Sequence, residues 1–463
     1  QMCIRDRGIT MSTIAAIATP NAPGGISVIR ISGENSLRIA DMIFKNFSGV
    51  LPSDMQGYTC AYGNIVHNNE IVDDVVLTVF RSPKSYTGEN VVEISCHGGR
   101  YITKKILRII YNCGAVPAQA GEFTKRAFLN GKMSLTQAEA VMDVISSAGE
   151  RQLRYANALK DGATFRRINS IKERLVNILA DLAAWADFPE EDVPEVRPEV
   201  LAAQIDRVVN DLTKTSETYD HGRIVREGIN TVIAGRPNVG KSTLMNCLSG
   251  FERSIVTDIA GTTRDTIEES VMLGELTLRL SDTAGIRETD DVIESMGVDI
   301  AYKKIDEADL VLAVFDGTAP LSEKDKELTE HLKNKNCVAV INKTDGESKI
   351  NKEYISDNFK HYVEISAKNQ AGIENLQHIL EDMFLQDESE ADEGIIANER
   401  QKNCLEKALA EVTEARNILG NGEMLDAVTV VLDSALDSLM ELTGERSSEK
   451  IIDDVFSRFC VGK

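Results

Sequence analysis

The run Gly235-Arg236-Pro237-Asn238-Val239-Gly240-Lys241-Ser242 has the spacing G-x-x-x-x-G-K-[ST], which suits a loop that wraps phosphate oxygens. Glycines let main-chain N–H groups converge on an anion, and a helix opening just beyond them adds its positive end. Lys241 is expected to reach the outer phosphates and the Ser242 hydroxyl to ligate Mg²⁺. The apolar run Ile229 to Ala234 predicts a buried strand before the loop, and Ser242 to Leu248 predicts a helix after it.

Four further motifs come in order, each after a predicted strand or in a polar loop. Gly261-Thr262-Thr263-Arg264-Asp265 offers Thr263 to the metal and the terminal phosphate. In Asp282-Thr283-Ala284-Gly285, Asp282 is expected to hold the metal through water and Gly285 N–H to meet the γ-phosphate. Asn342-Lys343-Thr344-Asp345 brings a carboxylate able to accept from guanine N1–H and its exocyclic amine, a donor pair adenine lacks. Ser366-Ala367-Lys368 is expected to close over the base. Together the five motifs predict guanine-nucleotide binding at the carboxyl ends of a doubly wound sheet. Hydrolysis needs a residue to orient water, and Ile286, directly after D-T-A-G, is incapable of it. The candidates nearby are Arg264, Arg287 and Glu294; all three can be read as solvated surface charges, and that reading is favoured for the two arginines. With no evident arginine finger, a monovalent cation held partly by Asn238 is expected to neutralise developing charge.

The surrounding chain has to position these groups. Its 463 residues suggest about three domains, and 42% hydrophobic with 27% charged residues is an ordinary globular composition. A net charge of −22 argues against a broad basic face gripping nucleic acid, so any RNA contact must be local or supplied by a partner. Eight cysteines without a C-x-x-C pair suit a reducing compartment and neither a disulfide framework nor a zinc site. No apolar run approaches the ~18 residues of a membrane span, so a cytoplasmic location is expected. Gln1 to Thr10 fit poorly with the residues after them, and Met11 is expected to open the first domain.

Residues 11–130 mix strand and helix signals and predict an α+β domain. Helical spacing dominates 131–223, strand–helix alternation 224–385, and helix again 386–463 after an acidic linker at Gln386 to Gly394. The two helical stretches are expected to pack as one domain, with 224–385 inserted between them as an α/β P-loop domain of Ras-like type.

The chain resembles the MnmE (TrmE) family of tRNA modification GTPases over Met11 to Lys463. The resemblance rests on Ala18-Thr19-Pro20, Val28 to Gly33, Tyr86-Thr87-Gly88-Glu89 before Glu93 and His97-Gly98-Gly99, Gly121 to Asn130, the Gly261 to Asp265 motif, and Phe459-Cys460-Val461-Gly462-Lys463. The tail has Val461 where the family pattern usually has Ile. The resemblance implies a potassium-activated GTPase, homodimeric through a folate-binding N-terminal domain. With an FAD-dependent GidA (MnmG) partner, such proteins use 5-formyltetrahydrofolate, or a related tetrahydrofolate, to install an aminomethyl or carboxymethylaminomethyl group at C5 of the wobble uridine of tRNA.

Carried over by position, the resemblance implies K⁺ ligands at Asn238, Thr257, Ile259 and Thr262, and Mg²⁺ ligands at Ser242 and Thr263. Val239, Gly240, Lys241, Thr243, Asp258, Ala260 and Gly261 join the GTP contacts, as do Asp282, Thr283, Ala284 and Gly285. Asn342, Lys343, Asp345, Ser366, Ala367 and Lys368 complete them. Glu294 positions the attacking water, and Arg30, Glu93, Lys132 and Lys463 contact the folate. Cys460 is a candidate for modification chemistry, with Arg458 and Lys463 nearby to favour its thiolate; the alternative is a small buried apolar residue. A ribosome-assembly GTPase of Era or EngA type is the competing reading, disfavoured because the tail is helical and not basic.

Overall fold

The computed structural model describes residues 11–20, 22–187, 197–251, 268–281, 302–385, 394–422 and 424–463. Three bodies of different character arise from three hydrophobic patterns.

The N-terminal body is a seven-stranded sheet: β1 (Ile14–Ile17), β2 (Ile26–Ser32), β3 (Phe44–Asn46), β4 (Thr59–His67), β5 (Glu70–Phe80), β6 (Val91–His97) and β7 (Val116–Pro117). They run in the order β3-β4-β5-β6-β2-β1-β7, antiparallel apart from the β1–β7 pair. Alternation along β2 and β5 turns one face inward, where Ile29, Ile31, Val75, Leu77 and Val79 pack with α1 (Ser36–Ile43) and α2 (Arg100–Asn112). Helix α3 (Glu122–Leu129) leads out of this body.

A helical body comes next, comprising α4 (Leu135–Ser146), α5 (Glu150–Lys160), α6 (Ala163–Asp187), α7 (Pro198–Glu217) and α8 (Tyr219–Glu227). Ser134 opens α4 with a reciprocal capping box to Gln137, satisfying two otherwise orphaned donors. The sequence predicts a helix ending near Tyr219. In the structure α7 ends there and a further helix, α8, begins at once. Their junction is Thr218, whose hydroxyl accepts from Ile396 N–H at 3.2 Å, a contact from far along the chain.

The nucleotide-type body has the strands β8 (Ile229–Ala234), β9 (Glu268–Leu273), β10 (Leu276–Ser281), β11 (Leu310–Asp316), β12 (Cys337–Asn342) and β13 (Tyr362–Glu364). Their order is β13-β12-β11-β8-β10-β9, parallel except for the β10–β9 hairpin. Strand β11 is apolar on both faces, as a covered parallel strand must be. Leu310, Leu312 and Val314 pack on one side with α9 (Lys241–Phe251), while Val311, Ala313 and Phe315 pack on the other with α10 (Glu323–Leu332) and α11 (Lys352–Asn358). Helix α12 (Ile373–Phe384) covers the α9 side.

The chain ends in α13 (Glu399–Gly420), α14 (Leu425–Thr443) and α15 (Glu449–Ser457). One core draws on both helical stretches: Ile168, Leu175, Ile205 and Leu212 pack with Leu405, Val412, Leu432 and Leu439.

The connectors to the nucleotide-type body meet at α4. Glu139 and Asp143, one turn apart, lie on this helix. Arg226 of α8, on the way in, donates to Asp143 at 2.7 Å. Arg400 of α13, on the way out, grips Glu139 through Nε at 2.7 Å and Nη2 at 3.0 Å, and Gln401 donates to the same carboxylate at 2.7 Å. A Cβ at Gly222 of α8 would stand 2.5 Å from the Ile396 carbonyl, so only glycine allows the two connectors to lie so close.

Candidate functional site

The phosphate loop joins β8 to α9. Gly235 has φ +149°, and a Cβ there would lie 2.5 Å from the Val314 carbonyl. Gly240 has φ +100°, and its Cβ would lie 2.2 Å from Asn342 Nδ2. Both positions therefore exclude any side chain, and the loop presents backbone rather than Cβ. Asn238 also takes a left-handed φ of 66°, a conformation its short amide tolerates. Lys241 Nζ donates to the carbonyls of Gly235 and Arg236 at 2.7 and 3.0 Å, so the ammonium spans the loop that it is expected to serve. Ser242 and Thr243 open α9.

The base-recognition residues converge from the ends of β12 and β13. Asn342 is buried; it donates to Val239 O at 3.0 Å and accepts from Ala367 N–H at 3.0 Å, tying the fourth motif to the first and last. Lys343, with φ 66°, donates to Asn238 O at 2.7 Å and to Asp316 at 2.6 Å. Ser366 Oγ donates to Asp345 Oδ1 at 2.7 Å. That hydrogen bond, with Lys368 and Lys343 nearby, holds the Asp345 carboxyl below its ordinary range. A carboxylate fixed in this way and kept ionised can accept the paired donors of guanine.

Thr257, Asp258, Ile259, Ala260, Gly261, Thr262, Thr263, Asp282, Thr283, Ala284, Gly285 and Glu294 lie outside the described residues. Of the expected potassium ligands, Asn238 is described, and of the magnesium ligands, Ser242.

A second cluster forms where the C-terminal tail returns to the first sheet. Val461 bridges Ala120, Gly121 N–H donates to Cys460 O at 3.4 Å, and Arg30 Nη1 donates to Gly462 O at 3.2 Å. Arg30 and Glu93 sit opposite each other on β2 and β6 and pair at 2.8 Å. The Arg30 guanidinium lies 5.6 Å from the Tyr86 ring and 5.5 Å from that of Phe123, and Lys463 Nζ lies 5.8 Å from Tyr86. Burial, reinforced by Arg30, pushes the Lys463 amine below its ordinary value against the pull of Glu93. Arg30, Glu93 and Lys463 are thus brought together. Lys132 makes its contact elsewhere, donating to Pro83 O at 3.1 Å. Cys460 is half-buried, and Arg458, expected near its sulfur, pairs with Asp454 at 2.9 Å.

Asp316, Tyr86, Phe123 and Arg126 belong to these sites although spacing alone does not single them out. Asp316 orients Lys343 and receives Thr318 N–H at 2.9 Å; ending the apolar strand β11 in a carboxylate was its visible signal. Arg126 is buried and holds both oxygens of Glu89 at 3.2 Å, bracing the loop that carries Tyr86.

Two family models match: the GTP-binding protein TrmE N-terminus over residues 13–132 and the MnmE helical domain over residues 135–460. The tRNA modification GTPase MnmE of Clostridioides difficile is 42% identical over 456 residues, covering 97% of this chain and 99% of the relative. The chain belongs to the MnmE family. Its counterpart from Carboxydothermus hydrogenoformans is 41% identical over 457 residues, with the same coverage of 97% and 99%. A solved structure of Era from Aquifex aeolicus is 30% identical, covers 40% of this chain and 66% of that one, and has a TM-score of 0.27. The expected multidomain architecture of an α+β N-terminal domain, a helical domain and a P-loop GTPase fold is that of the family. Among the described residues no helix is long and apolar enough to cross a membrane.

Proposed function

We propose that this chain is a GTP hydrolase of tRNA modification that couples nucleotide hydrolysis to chemistry at the wobble uridine. The observation that carries the reading is family membership across 97% of the chain combined with a closed guanine-recognition set, Asn342, Asp345, Ser366 and Ala367. Lys241 and the loop amides bind the phosphates, and Asp345 selects the base. Ser242 and Thr263 would hold Mg²⁺, and Asn238, Thr257, Ile259 and Thr262 would hold K⁺, which would offset charge developing on the phosphates. Glu294 orients the attacking water.

The N-terminal cluster is the reading's second half. Arg30 and Lys463 flank the Tyr86 ring and Glu93 pairs with Arg30, charges of both signs suited to a heterocycle carrying donors, acceptors and carboxylates such as a tetrahydrofolate. Lys132, which donates to Pro83 O away from this group, is the further folate contact that the family resemblance implies. A bound 5-formyltetrahydrofolate supplies the one-carbon unit, and an FAD-dependent GidA/MnmG-type partner supplies the redox chemistry. Cys460, on the tail segment that returns to this cluster, is the candidate for the modification chemistry. The protein works as a cytoplasmic homodimer through its N-terminal domain, joined to its flavoprotein partner.

Nucleoside analysis of tRNA from cells lacking the chain tests the reading: the modified wobble uridine should disappear and return with the wild-type gene. Unchanged tRNA would refute it. GTP hydrolysis measured in K⁺ and in Na⁺ tests the cation site; equal rates would remove it.

A further inference from the structure

We infer that the groove between the first turns of α6 and the last turns of α7 binds the phosphate backbone of the RNA substrate; this rests on the tRNA reading above and gives it a contact surface. The groove has a volume of about 480 Å³ and is lined by Arg166, Arg167, Ser170, Arg174, Asp211 and Lys214. Four cations thus face one carboxylate in a chain whose net charge is −22. Over most of such a surface an RNA is repelled, so contact must be concentrated where the sign reverses.

The way these cations are held favours an external anion. Arg166 and Arg167 each direct one N–H to a main-chain carbonyl, Asp161 O at 2.7 Å and Gly394 O at 3.0 Å. Those bonds fix the guanidinium groups, and among the described residues neither arginine has a carboxylate partner. Arg174 pairs with Asp211 and remains about half exposed at 49%. Lys214 is exposed. A second lysine-lined groove, on the nucleotide-type body, differs in just this respect. There Lys333 pairs with Glu330 at 2.7 Å and Lys335 with Asp306 at 3.0 Å, so two of its amines are already neutralised.

Geometry adds to charge. Ala163, the first residue of the 25-residue helix α6, lines the same groove, so the positive end of that helix opens there. Planar guanidinium groups match the two free oxygens of a phosphodiester, and the Ser170 hydroxyl offers a further donor. No side chain of the lining presents an aromatic face for a base, so contact here is to the backbone and independent of sequence.

The test is fluorescence-anisotropy titration of a tRNA onto the full-length protein over a range of KCl. Wild type is compared with the triple substitution Arg166→Gln, Arg174→Gln and Lys214→Gln. Loss of three phosphate contacts should flatten the plot of log affinity against log salt by about 2–3, with binding at least about tenfold weaker at low salt. GTP hydrolysis and melting temperature should be unchanged. Asp211→Asn, which frees Arg174, should tighten binding. Superimposable curves for wild type and triple variant would overturn the proposal. So would a triple variant that loses affinity for polyglutamate while holding tRNA normally, because the groove would then be a peptide site. If wild type itself fails to bind tRNA while hydrolysing GTP, the tRNA reading falls instead.

Discussion

The phosphate loop and the N-terminal cluster are built on opposite plans. The loop spans eight consecutive residues, and its shape is set by glycines that tolerate no Cβ and by main-chain amides at a helix start. The cluster is assembled from β2, β6, the Tyr86 loop and the last residues of the chain, with Arg30 and Gly462 separated by 432 positions. A site made of local backbone announces itself in sequence spacing. One made of distant side chains exists only after the fold has closed, and each of its contacts depends on the seating of the others.

The contrast makes specific expectations. Gly240→Ala should have the largest effect: its Cβ collides with Asn342, so nucleotide binding measured with a fluorescent GTP analogue should weaken by about 100-fold or more, an overlap of this kind costing roughly 3 kcal/mol. Folate binding should persist; joint loss of both would erase the distinction between the two plans. Asp345→Asn should be next, removing charge-assisted hydrogen bonds worth about 1.5–3 kcal/mol and moving preference from GTP toward XTP. Competition binding with the two nucleotides reads this directly, and unchanged selectivity would free Asp345 of its role.

Gly462→Ala tests the other plan. With φ +101° and a Cβ 2.5 Å from Ile17 O, the tail should unseat at a cost of about 1–3 kcal/mol. Wobble modification should fall while GTP hydrolysis by the isolated protein continues, as nucleoside analysis and a phosphate-release assay would show. The smallest effect concerns Lys463. Its amine is held below its ordinary value, so the unfolded state binds more protons and stability rises as pH climbs through the folded value toward that of free lysine. Lys463→Met should therefore be slightly more stable than wild type at neutral pH, by less than about 1 kcal/mol for a group that solvent still reaches, the gap closing in alkali. A gap that widens in alkali would reverse the sign assigned here.

Legibility followed the same division. Strand β11 has no motif at its end, but β8 and β12, equally apolar runs, lead straight into motif residues, so their positions were readable. Strand β4 was not: Gly63 interrupts it, and only the structure reveals that a Cβ there would lie 2.3 Å from Lys45 O. Strand β1 is too short at four residues to declare a period. The junction between α7 and α8 carries no glycine or proline at Thr218, because its cause is a partner 178 positions away. Arg30 and Glu93 were nameable by resemblance alone, since a charged pair on facing strands looks from the sequence like any other ion pair. Arg458 illustrates the limit of proximity along the chain: four residues back, Asp454 claims its guanidinium.

The meeting of both connectors at Glu139 and Asp143 has a mechanical corollary. The GTP-hydrolysing module is tied to the helical body through α5, whose Gln152 donates to Thr277 of β10 at 3.1 Å, and through both connectors on α4, a helix of twelve residues. Leu135, Ala138 and Val141 of that helix pack against Ile452 and Phe456, a few residues short of Cys460. Any rotation of α4 is therefore felt next to the tail segment that carries this thiol.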